Sequence, residues 1–266
     1  MSYVGTTEIG KMFLGDTEIS KAYLGDTLVF QEGSTPPGPV DPYVLIRHWD
    51  GTDAPDSSKW YDKVGNQYWS LTNATHGSNY YEFLNSAPRT STARGQLNGA
   101  LPDLCYHWKI VADVEVKVNT SATAMIALDF GATGTVGSGK CAVSMYLDTS
   151  SQRWLPNAKF DGNSSSSTYN PVLTNLVDPD FANNAWLHRT ITVGVKESST
   201  PGKDVTYMNV SDVGYGETAT PFDPIRFDRW ESNVSYIARS RVAPSRTYLY
   251  STNVRIYDLK VYYEPI

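Results

Sequence analysis

Positive charge is the first thing this sequence is short of: 22 Lys and Arg stand against 28 Asp and Glu, for a net charge of −6. Nucleic acid and anionic bilayers are held by basic surfaces, so neither is an expected partner. Long apolar runs are missing as well, and none approaches the ~20 residues of a membrane span. The N-terminal stretch MSYVGTTEIGKMF has no basic region leading into an apolar run, so synthesis in a cytosol without a secretory signal is the expectation. Cysteine is scarce. Cys105 and Cys141 are the whole complement, and without a C-x-x-C there is neither a zinc nor a dithiol redox motif. Two buried, reduced thiols are expected. His48, His76, His107 and His188 show no H-x-x-x-H spacing, and there is no G-x-S-x-G elbow, so no histidine is assigned to metal or catalysis. Helical periodicity is absent from Tyr43 onward.

What is present is β-prone repetition. Stacked at a period of ten, residues 3–31 read YVGTTEIGKM, FLGDTEISKA and YLGDTLVFQ. Tyr3, Phe13 and Tyr23 align, as do Val4, Leu14 and Leu24, then Gly5, Gly15 and Gly25, and then Ile9, Ile19 and Val29. This is an internal repeat whose unit is a strand broken by a glycine turn, and the units together predict a small β-meander. About thirty residues bury too little apolar surface to offset their own ordering entropy. Leu14, Ile19, Tyr23, Leu24 and Val29 therefore need cover from elsewhere, and residues 1–31 are expected to form an attachment or oligomerisation module. Residues 32–42, EGSTPPGPVDP, are a Pro/Gly-rich linker that reaches ~30 Å if extended, a spacer that separates bodies.

Leu14-Gly15-Asp16-Thr17, Ile19, Lys21, Tyr23-Leu24-Gly25-Asp26-Thr27 and Val29-Phe30, followed by this spacer and a β domain, resemble the N-termini of phage and prophage structural proteins of gut bacteria. The resemblance implies a fibre or appendage protein located in the virion. Residues 1–31 would mount it on other virion proteins. It also implies a homo-oligomer, a trimer by analogy with three-fold fibres.

Residues 43–266 alternate with a period of two. In WKIVADVEVKV, Ile110, Ala112, Val114, Val116 and Val118 point one way and Asp113, Glu115 and Lys117 the other, which is a half-buried antiparallel strand. Further strands are predicted at Ala124–Phe130, Cys141–Leu147, Leu187–Val195, Val205–Val210 and Val254–Tyr263, separated by Gly-, Pro-, Asn- and Ser-rich breaks. The fold class is all-β, an antiparallel sandwich or jelly roll. Asp50-Gly51-Thr52 with Trp60-Tyr61-Asp62 and Gly65-Asn66, then Asn184-Ala185-Trp186-Leu187-His188, then Asn253 to Tyr262, resemble in that order the laminin-G and concanavalin A-like jelly-roll superfamily. The resemblance implies that first and last strands pair near one edge and that the Trp starts a long strand under the core. It leaves function among lectins, adhesion modules, glycoside hydrolases and structural domains.

Three chemistries are considered for this domain. Jelly-roll hydrolases set carboxylates on one strand face as E-x-D-x-x-E. Asp113 and Glu115 share a face, but the third place is Val118 and Lys117 would neutralise the pair, so no enzyme is expected. No cofactor is assigned. A structural calcium is weighed at Asp50, Thr52, Asp53 and Asp56, or at Asp178 and Asp180, without naming ligands. Saccharides are held on aromatic faces, and the loop-borne Tyr80, Tyr81, Trp154 and Tyr169 are the candidate platforms. The expected function is thus a non-catalytic virion fibre or appendage protein whose lectin-like head recognises a host surface glycan or serves virion attachment by binding another virion protein. The alternative is a bacterial carbohydrate-binding module or a glycoside-hydrolase-related protein.

Overall fold

A computed structural model describes residues 12–14, 17–19, 21–24, 27–31, 42–53, 56, 58–84, 93–98, 106–120, 124–130, 140–160, 167–168, 176–224, 229–230, 234–237 and 253–265. The chain divides into two compact units, Met1–Pro42 and Tyr43–Ile266. Among the described residues there is no helix.

The first unit holds β1 (Met12–Leu14), β2 (Thr17–Ile19), β3 (Lys21–Leu24) and β4 (Thr27–Gln31). β1 pairs with β2 and β3 with β4, both antiparallel, and the closing pairs Leu14–Thr17 and Leu24–Thr27 recur at the repeat's own spacing. The predicted single meander is, among the described residues, two separate two-stranded sheets. Each Gly-Asp pair separates two strands that pair with each other, so the period-ten unit is a hairpin and not one strand. Leu14, Ile19, Tyr23, Leu24 and Val29 lie on these strands, and the packing of their side chains lies outside the described residues.

The second unit begins with β5 (Val44–Asp50), β6 (Lys59–Tyr61), β7 (Tyr68–Thr72), β8 (Ala74–His76), β9 (Tyr81–Phe83) and β10 (Arg94–Asn98). It continues through β11 (Trp108–Lys117), β12 (Ala124–Phe130), β13 (Lys140–Asp148), β14 (Arg153–Phe160) and β15 (Ser167–Thr168). It ends with β16 (Trp186–Glu197), β17 (Asp204–Val210), β18 (Gly214–Glu217), β19 (Arg229–Trp230), β20 (Val234–Ile237) and β21 (Val254–Tyr263). One sheet runs β18-β17-β16-β11-β21-β9-β8, with β5 also on β21; the other runs β15-β14-β13-β12-β20-β10-β7-β6, with β19 on β13. Only the short β13–β19 pairing is parallel among the described strands. The unit is an all-β antiparallel sandwich. First and last strands do pair, but β21 lies inside its sheet, between β11 and the shared flank of β5 and β9.

The core is the inner face of both sheets. Along β11, Trp108, Ile110, Ala112, Val114 and Val116 are buried, while Lys109, Asp113, Glu115 and Lys117 face outward. Each buried branched aliphatic contributes ~1.5–3 kcal/mol over leaving it in water. Trp49, Trp60, Trp69, Trp108 and Trp154 are fully buried. Much of the aromatic content therefore serves packing.

Two of the sequence motifs are architecture. Trp60 donates its indole N–H to the Asp50 carbonyl at 2.9 Å. Asp62 accepts from the backbone N–H groups of His48 at 2.9 Å and Val64 at 3.0 Å. At Gly65 a Cβ would stand 2.7 Å from Asp62 Oδ2 and 2.9 Å from Arg47 Nη1, so those side-chain ends would have to shift. Asn184, at φ 64°, takes the left-handed conformation that Asn tolerates and turns the chain into Trp186 at the start of β16. Cys105 and the side chain of Cys141 lie outside the described residues, as does any pairing between them.

Candidate functional site: an aromatic and acidic strip on the outer sheet face

Strand register assembles the site. On the outward face of the sheet containing β11, Glu115 stands opposite His188 of β16 on one side and Arg255 of β21 on the other. Arg255 in turn stands opposite Glu82 of β9. One level across four strands therefore reads Glu82, Arg255, Glu115, His188, alternating acid and base. The β11–β21 register shifts between Asp113 and Val114, and at this bulge Tyr257 and Asp258 are both partly exposed between buried Ile256 and Leu259. A bulge re-aims a side chain in this way, and Tyr257 is thereby added to the row.

The contacts are close. Arg255 Nε donates to Glu82 Oε1 at 2.7 Å and Nη1 to Glu115 Oε2 at 3.0 Å. Its guanidinium carbon lies 4.1 Å from the Trp186 ring centroid and 5.1 Å from that of Tyr80. Tyr257 donates its hydroxyl to Glu115 Oε2 at 2.9 Å. His188 stacks on Tyr257 with centroids 4.6 Å apart and ring planes at 15°, and its Nε2 is 2.8 Å from Asp113 Oδ1. Tyr80 flanks Tyr257 at 5.3 Å. Neutralisation of Glu115 thus comes from Arg255 and not, as the sequence predicts, from Lys117.

Protonation follows from these contacts. Burial, then the bond to Glu115, pushes the Tyr257 phenol up to about 12, so it is a donor at neutral pH and not a base. Burial works to lower the Arg255 guanidinium, but its bonds to Glu82 and Glu115 outweigh that and leave it raised. Glu115 Oε2 is shared by a guanidinium and a phenol. The strip offers ring faces and fixed donors and acceptors, the two things a polyhydroxylated ligand uses.

Of the platforms predicted from sequence that are among the described residues, Tyr80 alone falls in this strip. Tyr81 is fully buried beneath it, with its ring 5.2 Å from Trp60 and its hydroxyl on the Asp53 carbonyl, so it presents no face to a ligand. Trp154 is also fully buried; alternation on β14 turns it inward, and its indole N–H donates to Asp178 Oδ2 at 2.8 Å. Tyr169 lies outside the described residues. Trp186, His188, Arg255 and Tyr257 were legible only as parts of fold motifs. The signal that could have found them is same-face spacing, Trp186 with His188 and Arg255 with Tyr257.

Of the acidic groups weighed for calcium, Asp50, Asp56, Asp178 and Asp180 are engaged within the chain. Arg189 donates to the buried Asp178 at 2.7 and 3.0 Å and to the exposed Asp180 at 2.5 Å, so one guanidinium holds both carboxylates. Burial works to raise Asp50, but Lys63 and Thr52 hold it well below the usual carboxylate range. Asp56 accepts from the backbone and hydroxyl of Ser58. Among the described residues no group of His, Cys, Asp and Glu is arranged to hold a metal.

No family model matches this chain, and no curated protein matches it. Among solved structures, the botulinum neurotoxin serotype D binding domain aligns at a TM-score of 0.49 and 10% identity, covering 84% of this chain and 48% of that one. The CBM2 module of the evolved Dit of Lactobacillus casei BL23 phage J-1 aligns at 0.47 and 10% identity, covering 84% and 97%. The alginate lyase Aly36B, in complex with alginate trisaccharide, aligns at 0.47 and 11% identity, covering 84% and 98%. The chain spans about half the length of the toxin domain. With these TM-scores below 0.5, the likenesses carry no argument about chemistry, and the sandwich rests on the sheets described above.

Proposed function

We propose that Tyr43–Ile266 is a non-catalytic, lectin-like head of the concanavalin A-like jelly-roll kind. It holds a host-surface saccharide on the outer strip, and the N-terminal repeat mounts it in a phage or prophage fibre or appendage. The observation that carries the binding reading is the half-buried Trp186 ring with Arg255 over it at 4.1 Å, beside Tyr80 and Tyr257. A sugar's C–H face packs on such rings, while Glu82, Glu115 and Arg255 are placed to exchange hydrogen bonds with hydroxyls. Two facts support the absence of catalysis. The best-placed carboxylate, Glu115, has its Oε2 occupied by Arg255 and Tyr257, and the phenol beside it stays protonated. The virion role is supported by the resemblance of the repeat and by the Pro/Gly-rich linker that follows it.

The test is a glycan array and titration with the full chain and with Trp186→Ala, a half-buried residue whose loss leaves the core intact. The expected result is binding of at least one surface glycan, weakened tenfold or more in the variant. Retention of full affinity by Trp186→Ala, or the absence of any glycan ligand, would falsify the reading. Release of reducing ends from a bound polysaccharide would overturn its non-catalytic part.

A further inference from the structure

At the opposite end of β11, where β16 ends and β17 begins, lies a cavity of about 570 Å³. That is within the ~300–1,000 Å³ range of small-molecule sites and far more than a bare ion needs. Its polar wall is His107, Glu197, Asp204 and Glu264; Tyr106, Pro224 and Pro265 form the apolar part. His107 bridges two acids, with Nδ1 2.5 Å from Glu264 Oε2 and Nε2 3.0 Å from Asp204 Oδ1. A neutral imidazole can donate from one nitrogen only, so serving both carboxylates requires the doubly protonated ring. The bond to Asp204, against the opposing effect of burial and with help from Glu264, raises the His107 value accordingly. A doubly protonated ring has no lone pair for a metal.

The cavity thus holds three carboxylates and one imidazolium, which pairs with two of them, Asp204 and Glu264. Lys203, adjacent to Asp204, is committed elsewhere, with Nζ 2.6 Å from Asp223 Oδ1. A second observation, independent of charge, concerns Asp204 itself. It is 1% exposed, lines the cavity, and its Oδ2 has no hydrogen-bond partner among the described residues. A buried carboxylate oxygen without a donor costs ~1–3 kcal/mol or more. The cavity's carboxylates therefore outnumber its cationic partner. Beside them stands an aromatic and prolyl wall, with Tyr106 38% exposed.

We infer that this cavity binds a protonated amino sugar. Its ammonium pairs with the accessible Glu197 and Glu264 and adds positive charge beside the buried Asp204, while its ring packs on Tyr106. This site is separate from the Trp186 strip and does not depend on it. Titration calorimetry of the full chain at low salt and about pH 6, where the amine is protonated, tests it with glucosamine, N-acetylglucosamine and n-propylammonium. Glucosamine should bind. N-acetylglucosamine, the same ring without the charge, and n-propylammonium, the charge without the ring, should each bind at least tenfold more weakly. Glu197→Gln, an exposed change that spares the buried Asp204, should weaken glucosamine tenfold, and Trp186→Ala should leave it unchanged. No glucosamine binding, equal binding of either control, or indifference to Glu197→Gln overturns the inference.

Discussion

Arg255 and Glu115 show how a charged residue on an outward face is held. Glu115 is 17% exposed at its side chain and Arg255 26%, so both are partly withdrawn from water, and each meets more than one partner. Withdrawal alone would be costly; satisfying several donors and acceptors at once is what offsets it. His107 obeys the same rule at the other end of the sheet, and there it leads to a pH dependence. Its folded-state value is raised above the ordinary 6.5, chiefly by the bond to Asp204. A raised histidine contributes stability that is fully present below its unfolded value and is lost as pH rises through the folded one. Urea unfolding of the full chain from about pH 5 to about pH 9 should therefore show stability falling on the alkaline side of the ordinary histidine range. His107→Asn should flatten that fall. A wild-type profile that rises through this window would show the bridge to be unformed.

At the scale of elements, the β21 bulge decides what the outer face can present. It exists because the chain keeps Ile256 and Leu259 inward with two residues between them, where strict alternation allows one. Gly51 locks it from outside: its N–H donates to the Tyr257 carbonyl at 2.7 Å, and a Cβ would lie 2.5 Å from Asn79 O and 2.6 Å from Tyr257 O. Those are backbone atoms and cannot step aside without moving the bulge. Gly51→Ala is expected to cost ~1–3 kcal/mol, read as a lower urea midpoint. Glycan affinity at the Trp186 strip should fall with it. Unchanged midpoint and affinity would mean the backbone relaxes at no cost. This bulge also marks how far the sequence could be read. The period-two pattern located β11, β12, β13, β16, β17 and β21, because burial on one face forces alternation. Tyr81 and Trp154 were misplaced because a turn-rich context says nothing of which way the next strand's first residues point. The site row was hidden for another reason: Glu82, Glu115, His188 and Arg255 are brought together by register, which long-range pairing sets and no local window contains.

For the whole molecule, the open question is what covers the repeat. Its strands pair as β1 with β2 and β3 with β4, so among the described residues each sheet is two strands wide. Isolated two-stranded hairpins are marginal in water at best, and among the described residues each of these strands is paired on one side. The repeat also carries an aliphatic and aromatic column, Leu14, Ile19, Tyr23, Leu24 and Val29, in very few residues. Self-association meets both needs at once, pairing edges and burying the column, and the resemblance to three-fold fibres makes a trimer the expected state. Burying Leu14, Ile19 and Leu24 between chains would contribute ~1.5–3 kcal/mol per side chain. Replacing all three with Ser should then dissociate the assembly and leave the sandwich folded, because the Tyr43–Ile266 unit has its own core. Light scattering of the full chain, the triple variant and residues 43–266 reads this directly, with circular dichroism reporting retained strand content. The full chain is expected as a trimer and the other two as folded monomers. A full chain that runs as a monomer at tens of micromolar would refute self-association and leave docking on the 43–266 unit or on a different protein as the cover for the repeat.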